Sequence, residues 1–245
     1  MDILLCCDDV SVGYDEHAVL AGIDLEVTRG EIVTLLGGSG CGKSTVLRAL
    51  TGLQPPLAGT IALLGEDLYA RDGDARRALL RRTGVAFQQD ALFGAMSVAD
   101  NVALPLRELT ALPESLIGEM VRIKLALVGL IGLANRTPAS LSGGQRKRAA
   151  LARAAVLDPE IIFCDEPTAG LDPVAAAGID DTLLALRDVL GVTIVVVSHE
   201  LDSIRAISDR AIMFGGGRVK ATGTVAELEQ SRDEDVYNFF HARAS

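Results

Sequence analysis

The spacing of apolar residues changes period along the chain, and each change marks an element. Residues 4–14 and 19–27 are apolar and β-branched and predict two strands. A turn at Arg29-Gly30 leads into 31–36 (EIVTLL), a continuous apolar run that reads as a buried strand. A glycine-rich loop follows, then a helical pattern over 44–53 that stops before Pro55-Pro56. Residues 59–64 predict a strand, 74–82 a charged helix and 85–87 a short strand. From 97 to 155 the pattern is helical almost throughout, with Val98, Val102, Leu106 and later Met120, Ile123, Leu127 and Leu130 at helical spacing. Alternation then returns: strand 160–164, helix 173–190, strand 192–197, helix 201–207, strand 211–214. Residues 235–244 predict a last amphipathic helix, docked through Val236, Phe239 and Phe240.

Strands that are apolar along their whole length and alternate with helices imply an α/β fold with a mostly parallel core sheet covered on both faces. The opening runs make an N-terminal antiparallel β region, and the helical middle, roughly 89–155, is an inserted helical subdomain. With 245 residues, the chain suits one domain spanning 1–245.

Composition narrows the function classes. Hydrophobic residues make up 49% and the net charge is −10, so the chain is expected to fold and has no overall attraction to nucleic acid or to an anionic lipid surface. Any phosphate site must then be local. No apolar run reaches the about 20 residues of a membrane span, and the start, MDILLCCDDV, lacks a basic n-region, so a cytoplasmic location is expected. Cys6, Cys7, Cys41 and Cys164 form no CxxC pair and read as reduced thiols; Cys6, Cys7 and Cys164 are expected to be small buried hydrophobes.

The sharpest chemical signal is Gly37-Gly38-Ser39-Gly40-Cys41-Gly42-Lys43-Ser44-Thr45, which fits G-x-x-x-x-G-K-[ST] between a strand and a helix. Glycines allow the backbone N–H groups to line a nest for phosphates, and the helix N-terminus adds positive potential. Lys43 reaches the β- and γ-phosphates, and the Ser44 hydroxyl is a Mg²⁺ ligand. Cys41 lies within this loop, so alkylating it is expected to block nucleotide binding. A second strand ends in Asp165 and Glu166 at the edge where parallel sheets bind ligands. Asp165 is assigned to the Mg²⁺ shell and Glu166 to orienting or deprotonating the attacking water. The strand 192–197 ends at the same edge in Ser198-His199, where His199 can hydrogen-bond a γ-phosphate or the lytic water. Ser142, Gly143, Gly144 and Gln145 open an Arg- and Ala-rich helix. Ser142 suits an N-cap and the glycines admit an anion, which makes a second phosphate cradle without a lysine. Arg146, Lys147, Arg148 and Arg153 read as a solvated or salt-bridged helix face.

With LSGGQ at 141–145, the chain resembles the ATP-binding-cassette (ABC) ATPases, whose motifs occur here in order across nearly the whole length. Tyr14 matches the aromatic residue that stacks on adenine, 37–45 the Walker A loop, Gln88 the Q-loop glutamine, and 161–166 Walker B with its catalytic glutamate. Asp172, in Ala169-Gly170-Leu171-Asp172, matches the D-loop and His199 the switch histidine. The resemblance implies ATP and Mg²⁺ as cofactors, with Gln88 joining Ser44 and Asp165 near the metal. It also implies a head-to-tail dimer in which Ser142 and Gly144 of one copy close on the ATP of the other, and a membrane permease partner sensed through Gln88.

A narrower resemblance lies in residues 87–108, FQQDALFGAMSVADNVALPLRE, which look like the Mla-type ATPases of phospholipid trafficking across the bacterial envelope. Asp90 stands where glycine is usual. The resemblance implies an MCE-type lipid-binding protein and a small STAS-type subunit as further partners, and a position on the cytoplasmic face of the inner membrane. Ala91, Leu92, Phe93 and Met96 are expected either to line a groove for a permease helix or to serve as subdomain core. The rival assignments are an ABC subunit serving amino acids, metals or drugs, and a soluble ABC ATPase. A P-loop GTPase is disfavoured, because none of Lys43, Lys124, Lys147 or Lys220 follows an Asn in an N-K-x-D pattern.

Overall fold

The computed structural model describes residues 2–241. The chain runs β1 (Ile3–Tyr14), β2 (His17–Thr28), β3 (Ile32–Gly37), α1 (Lys43–Leu50), β4 (Ala58–Leu63), β5 (Glu66–Asp67), α2 (Gly73–Leu80) and β6 (Thr83–Ala86). It continues through α3 (Val98–Leu109), α4 (Glu114–Leu127), two short 3₁₀ turns, α5 (Gly143–Ala154), β7 (Ile161–Asp165), α6 (Pro173–Leu190), β8 (Thr193–Val197) and α7 (Leu201–Ile207). The last elements are β9 (Arg210–Gly215), β10 (Arg218–Gly223), α8 (Val225–Glu229) and α9 (Glu234–His241).

The core sheet has the order β10-β9-β3-β8-β7-β6. Its pairs β9–β3, β3–β8, β8–β7 and β7–β6 are parallel, and only the β10 edge is antiparallel. All residues of β3 and β8 are buried, as expected of strands covered on both faces. One face packs on α1 and on a separate antiparallel sheet, β2-β1-β4-β5, in a cluster that includes Val33, Leu47, Ile61, Phe163 and Phe214. The other face, through Ile162, Val196 and neighbours, meets α6 by Ile179, Leu183 and Leu186. The helical middle encloses its own cluster of Val98, Val102, Leu106, Ile117, Val121 and Leu125. Among the described residues no helix is long and apolar enough to cross a membrane.

The expected fold is found, with local departures. β5, β10 and α8 carry no strong apolar period and were not anticipated. Ile123 is 53% exposed, so it does not extend the helical core stripe, and Met120 is only half-buried. Cys6 is half-buried, whereas Cys7 and Cys164 are buried as expected. The final helix is seen to His241; the remainder of its expected range lies outside the described residues.

Parallel pairing sets where chemistry can occur. It brings the C-terminal ends of β3, β7 and β8 to one edge, and so places the loop after Gly37, the Asp165-Glu166 pair and His199 side by side.

Candidate functional site

The loop after β3 turns through Gly42, whose φ of +103° starts α1. A Cβ there would meet the Val19 and Leu20 side chains at 2.9 Å, so the position needs glycine on steric as well as torsional grounds. Gly42 brings no side chain to cap the helix, so the first-turn N–H groups of α1 have no side-chain acceptor and are suited to an anion. Lys43 is 7% exposed, and its ammonium donates to the carbonyls of Gly37 at 2.8 Å and Gly38 at 3.0 Å. Those bonds hold the charge inside the loop. The Cys41 thiol lies 3.8 Å from the same ammonium.

This loop forms one wall of a cavity of about 630 Å³. Tyr14, Gly37, Gly38, Ser39, Gly40, Gly42, Lys43, Ser44 and Thr45 line it together with Gln88, Glu166 and His199. The Tyr14 hydroxyl accepts from Arg48 Nη1 at 2.8 Å and lies 3.3 Å from the Thr45 hydroxyl, which leaves its half-exposed ring facing the cavity. Ser44 Oγ lies 3.5 Å from Asp165 Oδ1. Burial, followed by the nearby Glu166 carboxylate, pushes the Asp165 carboxyl above its ordinary pKa. His199 Nδ1 lies 2.9 Å from Glu166 Oε1 and 2.7 Å from Oε2 and donates to that carboxylate. Glu166 has φ +48°, a left-handed conformation uncommon for a side-chain-bearing residue, so its carboxylate stands on a strained turn just after β7.

Two expected site groups lie apart from this cavity. Ser142 and Gln145 form a reciprocal capping box at the start of α5: Gln145 N–H donates to Ser142 Oγ at 3.2 Å, and Ser142 N–H to Gln145 Oε1 at 2.9 Å. Ser142 is exposed, Gly143 and Gln145 are half-buried and Gly144 is buried, so the cradle meets the surface through Ser142. Asp172 caps α6, accepting from the N–H groups of Val174 at 3.0 Å and Ala175 at 2.9 Å.

Of the two expectations for the basic residues of α5, the salt-bridged one holds for Arg146 and Lys147. Lys147 is 7% exposed, not solvated, and donates to the Gln88 carbonyl. Arg146 and Lys147 pair with Asp90, at 3.4 Å each. Arg153 donates to the carbonyls of Ala91 at 2.7 Å and Asp90 at 2.9 Å. Arg146, Lys147 and Arg153 thus hold the segment around Gln88 and Asp90. Of the apolar residues around Gln88, Leu92 packs on the helical core, while Phe93 is 55% and Phe87 40% exposed. Core packing is thus seen for Leu92 but not for Phe93.

Val19 and Phe239 also line the cavity and were not anticipated as site residues. Phe239 was placed on a docked helix. Its period shows that it packs, and nothing local shows that the packing brings it to β3's ligand edge.

Comparison with known proteins agrees with this geometry. A model of the ABC transporter family matches residues 20–169. The chain is 40% identical over 224 residues to the intermembrane phospholipid transport system ATP-binding protein MlaF of Haemophilus influenzae, covering 91% of this chain and 85% of the relative. It is 39% identical over 227 residues to the methionine import ATP-binding protein MetN of Caulobacter vibrioides, covering 92% and 68%. Among solved structures it is similar to a dimeric ATP-binding cassette, MJ0796, bound to ADP and Pi in a post-hydrolysis state: TM-score 0.80, 29% identity, 91% of this chain and 99% of that one.

Proposed function

Because the chain belongs to the ABC transporter family of ATPases and is an ATP-binding, ATP-hydrolysing subunit, we propose that it powers phospholipid trafficking across a bacterial cell envelope from the cytoplasmic face of the inner membrane. The observation that carries the chemistry is the meeting of the phosphate loop, Gln88, Glu166 and His199 around one cavity. Backbone N–H groups of 37–45 and the Lys43 ammonium hold the triphosphate. Tyr14 offers a ring to the base. Glu166 takes the proton of the attacking water, and His199, already bonded to that carboxylate, keeps it aimed at the γ-phosphate.

The hard oxygen donors Ser44 Oγ and Asp165 Oδ1 fit Mg²⁺, with Gln88 facing the same space. The described residues include no cluster of three His, Cys, Asp or Glu side chains suited to a metal. Mg²⁺ needs only one or two protein oxygens together with substrate phosphates. When bound, the ion neutralises charge developing on the phosphates.

The cradle Ser142-Gly143-Gly144-Gln145 lies outside the cavity of its own chain and meets the surface at Ser142, which supports a head-to-tail dimer in which each copy closes on the other's ATP. Asp172, at the start of α6, sits beside that junction in the same arrangement. Ser142→Arg tests the pairing: nucleotide binding to isolated chains persists and hydrolysis is lost. Weakened binding by the isolated chain would refute it.

The lipid assignment rests on residues 87–108 and on the MlaF relatives. The exposed Phe87 and Phe93, beside Gln88, give a permease helix an apolar seat. An MCE-type lipid-binding protein and a small STAS-type subunit complete the expected assembly. A methionine importer is the second reading, favoured by the MetN relatives at similar identity. Purification from detergent-solubilised membranes, with mass spectrometry of partners and bound lipid, decides between them. Phospholipid and an MCE-type protein support the first reading; a methionine-binding partner supports the second.

A further inference from the structure

The segment after Gln88 carries two adjacent left-handed residues, Asp90 at φ +60° and Ala91 at φ +49°, and neither is glycine. Such backbone persists only where its surroundings over-determine it. Here α5 does so. Arg153 holds both carbonyls, Lys147 holds the Gln88 carbonyl, and Arg146 and Lys147 flank the Asp90 carboxylate. The Asp90 side chain is 13% exposed and that of Lys147 is 9%. Its Oδ1 has no hydrogen-bond partner among the described residues and faces the Lys147 ammonium at 3.4 Å. A carboxylate this enclosed depends on its cations. Arg146 also donates to the Leu141 carbonyl at 2.8 Å, on the approach to the cradle.

We propose that Asp90 is a positioning residue that locks the loop bearing Gln88 to the first turn of α5, so that nucleotide bound by a chain sets the position of the cradle the same chain offers its partner. The inference rests on the nucleotide-site reading above. Gln88 faces the cavity, while its own carbonyl and the neighbouring Asp90 are tied to Arg146 and Lys147, next to Gln145. A displacement of Gln88 toward the phosphates has a short ionic route to residues 142–147, enclosed at Asp90 and Lys147. Glycine in place of Asp90 would relax the backbone but leave the two cations without their carboxylate.

Hydrogen exchange on the full-length chain tests this, with and without saturating Mg-ATP, at concentrations where light scattering reports monomer. In the parent chain nucleotide protects 37–45 directly and also slows exchange over 142–147, by about fivefold or more if the coupling is of ordinary allosteric size. In Asp90→Asn and Asp90→Gly the protection of 37–45 stays and the response of 142–147 disappears. Lys147→Met gives the same loss, and Asp90→Asn/Lys147→Met loses no more than either alone, because both substitutions break one interaction. A parent chain whose 142–147 segment ignores bound nucleotide overturns the inference, as does an unchanged response in both Asp90 variants. No protection of 37–45 in the parent would instead refute the nucleotide-site reading beneath it.

Discussion

The Glu166 carboxylate is bonded to His199 across the ends of two neighbouring strands, with Nδ1 2.7 Å from Oε2. Because β7 and β8 are parallel, with Asp165 opposite Val197, the two strands end side by side, and the left-handed turn at Glu166 completes the approach to His199. The pair is thus held by the sheet ends together with that turn.

Glu166→Gln keeps the shape of this pair and removes the base. ATP binding is expected to persist while hydrolysis falls by about 10²–10⁴-fold, the usual contribution of a general base. Turnover assays and nucleotide titrations measure the two separately. Near-normal turnover would remove Glu166 from that role.

Thiol reactivity should follow burial. Burial pushes the Cys7 and Cys164 thiols up to about 12, so neither presents thiolate at neutral pH in the folded chain. Cys41 sits at the phosphate loop beside the Lys43 ammonium. Alkylation of the native protein is expected at Cys41 well before Cys7 or Cys164, to abolish nucleotide binding, and to slow in the presence of Mg-ATP. Peptide mapping after timed labelling reads all three; equal Cys41 rates with and without Mg-ATP would contradict the placement.

Gly84, in β6, lies against the end of α5, where a Cβ would come 2.2 Å from the Ala154 carbonyl oxygen. Gly84→Ala must part strand from helix and is expected to cost about 1–3 kcal/mol. The fall in melting temperature should come with weaker hydrolysis, since β6 leads directly to Gln88 and α5 carries the residues that hold it. Unchanged melting would show that the contact is slack.

Glu160, just before β7, joins Arg29 at 2.8 Å and Arg82 at 2.7 Å, and these guanidinium groups, Arg29 first, hold its carboxyl below the usual glutamate range. A carboxylate whose pKa is lowered by folding stabilises the protein above its unfolded value, and that contribution is lost as pH falls through the folded value. All three side chains are partly exposed, so Glu160→Gln should cost about 1 kcal/mol or less near neutrality. Denaturant melts of parent and variant should converge below the ordinary glutamate range. A gap that persists in acid would point to packing in place of charge.

The parallel sheet and the phosphate loop were determined by the sequence itself, because both rest on local relationships. Continuous apolar runs such as 31–36 and 192–197 can be satisfied only inside a covered sheet, and G-x-x-x-x-G-K-[ST] between strand and helix specifies its own backbone. The strand order β3-β8-β7, seen only in the folded sheet, then carries Asp165, Glu166 and His199 to the loop. Only the tertiary structure decided the roles of Lys147, Arg153 and Phe239. Lys147 meets the Gln88 carbonyl across 59 positions of chain, and Phe239 reaches the cavity from a helix near the end of the described residues. A basic residue on a helix has the same local pattern whether it faces water or a buried carboxylate. Which of the two it meets depends on the approach of distant segments, and no period along the chain encodes that.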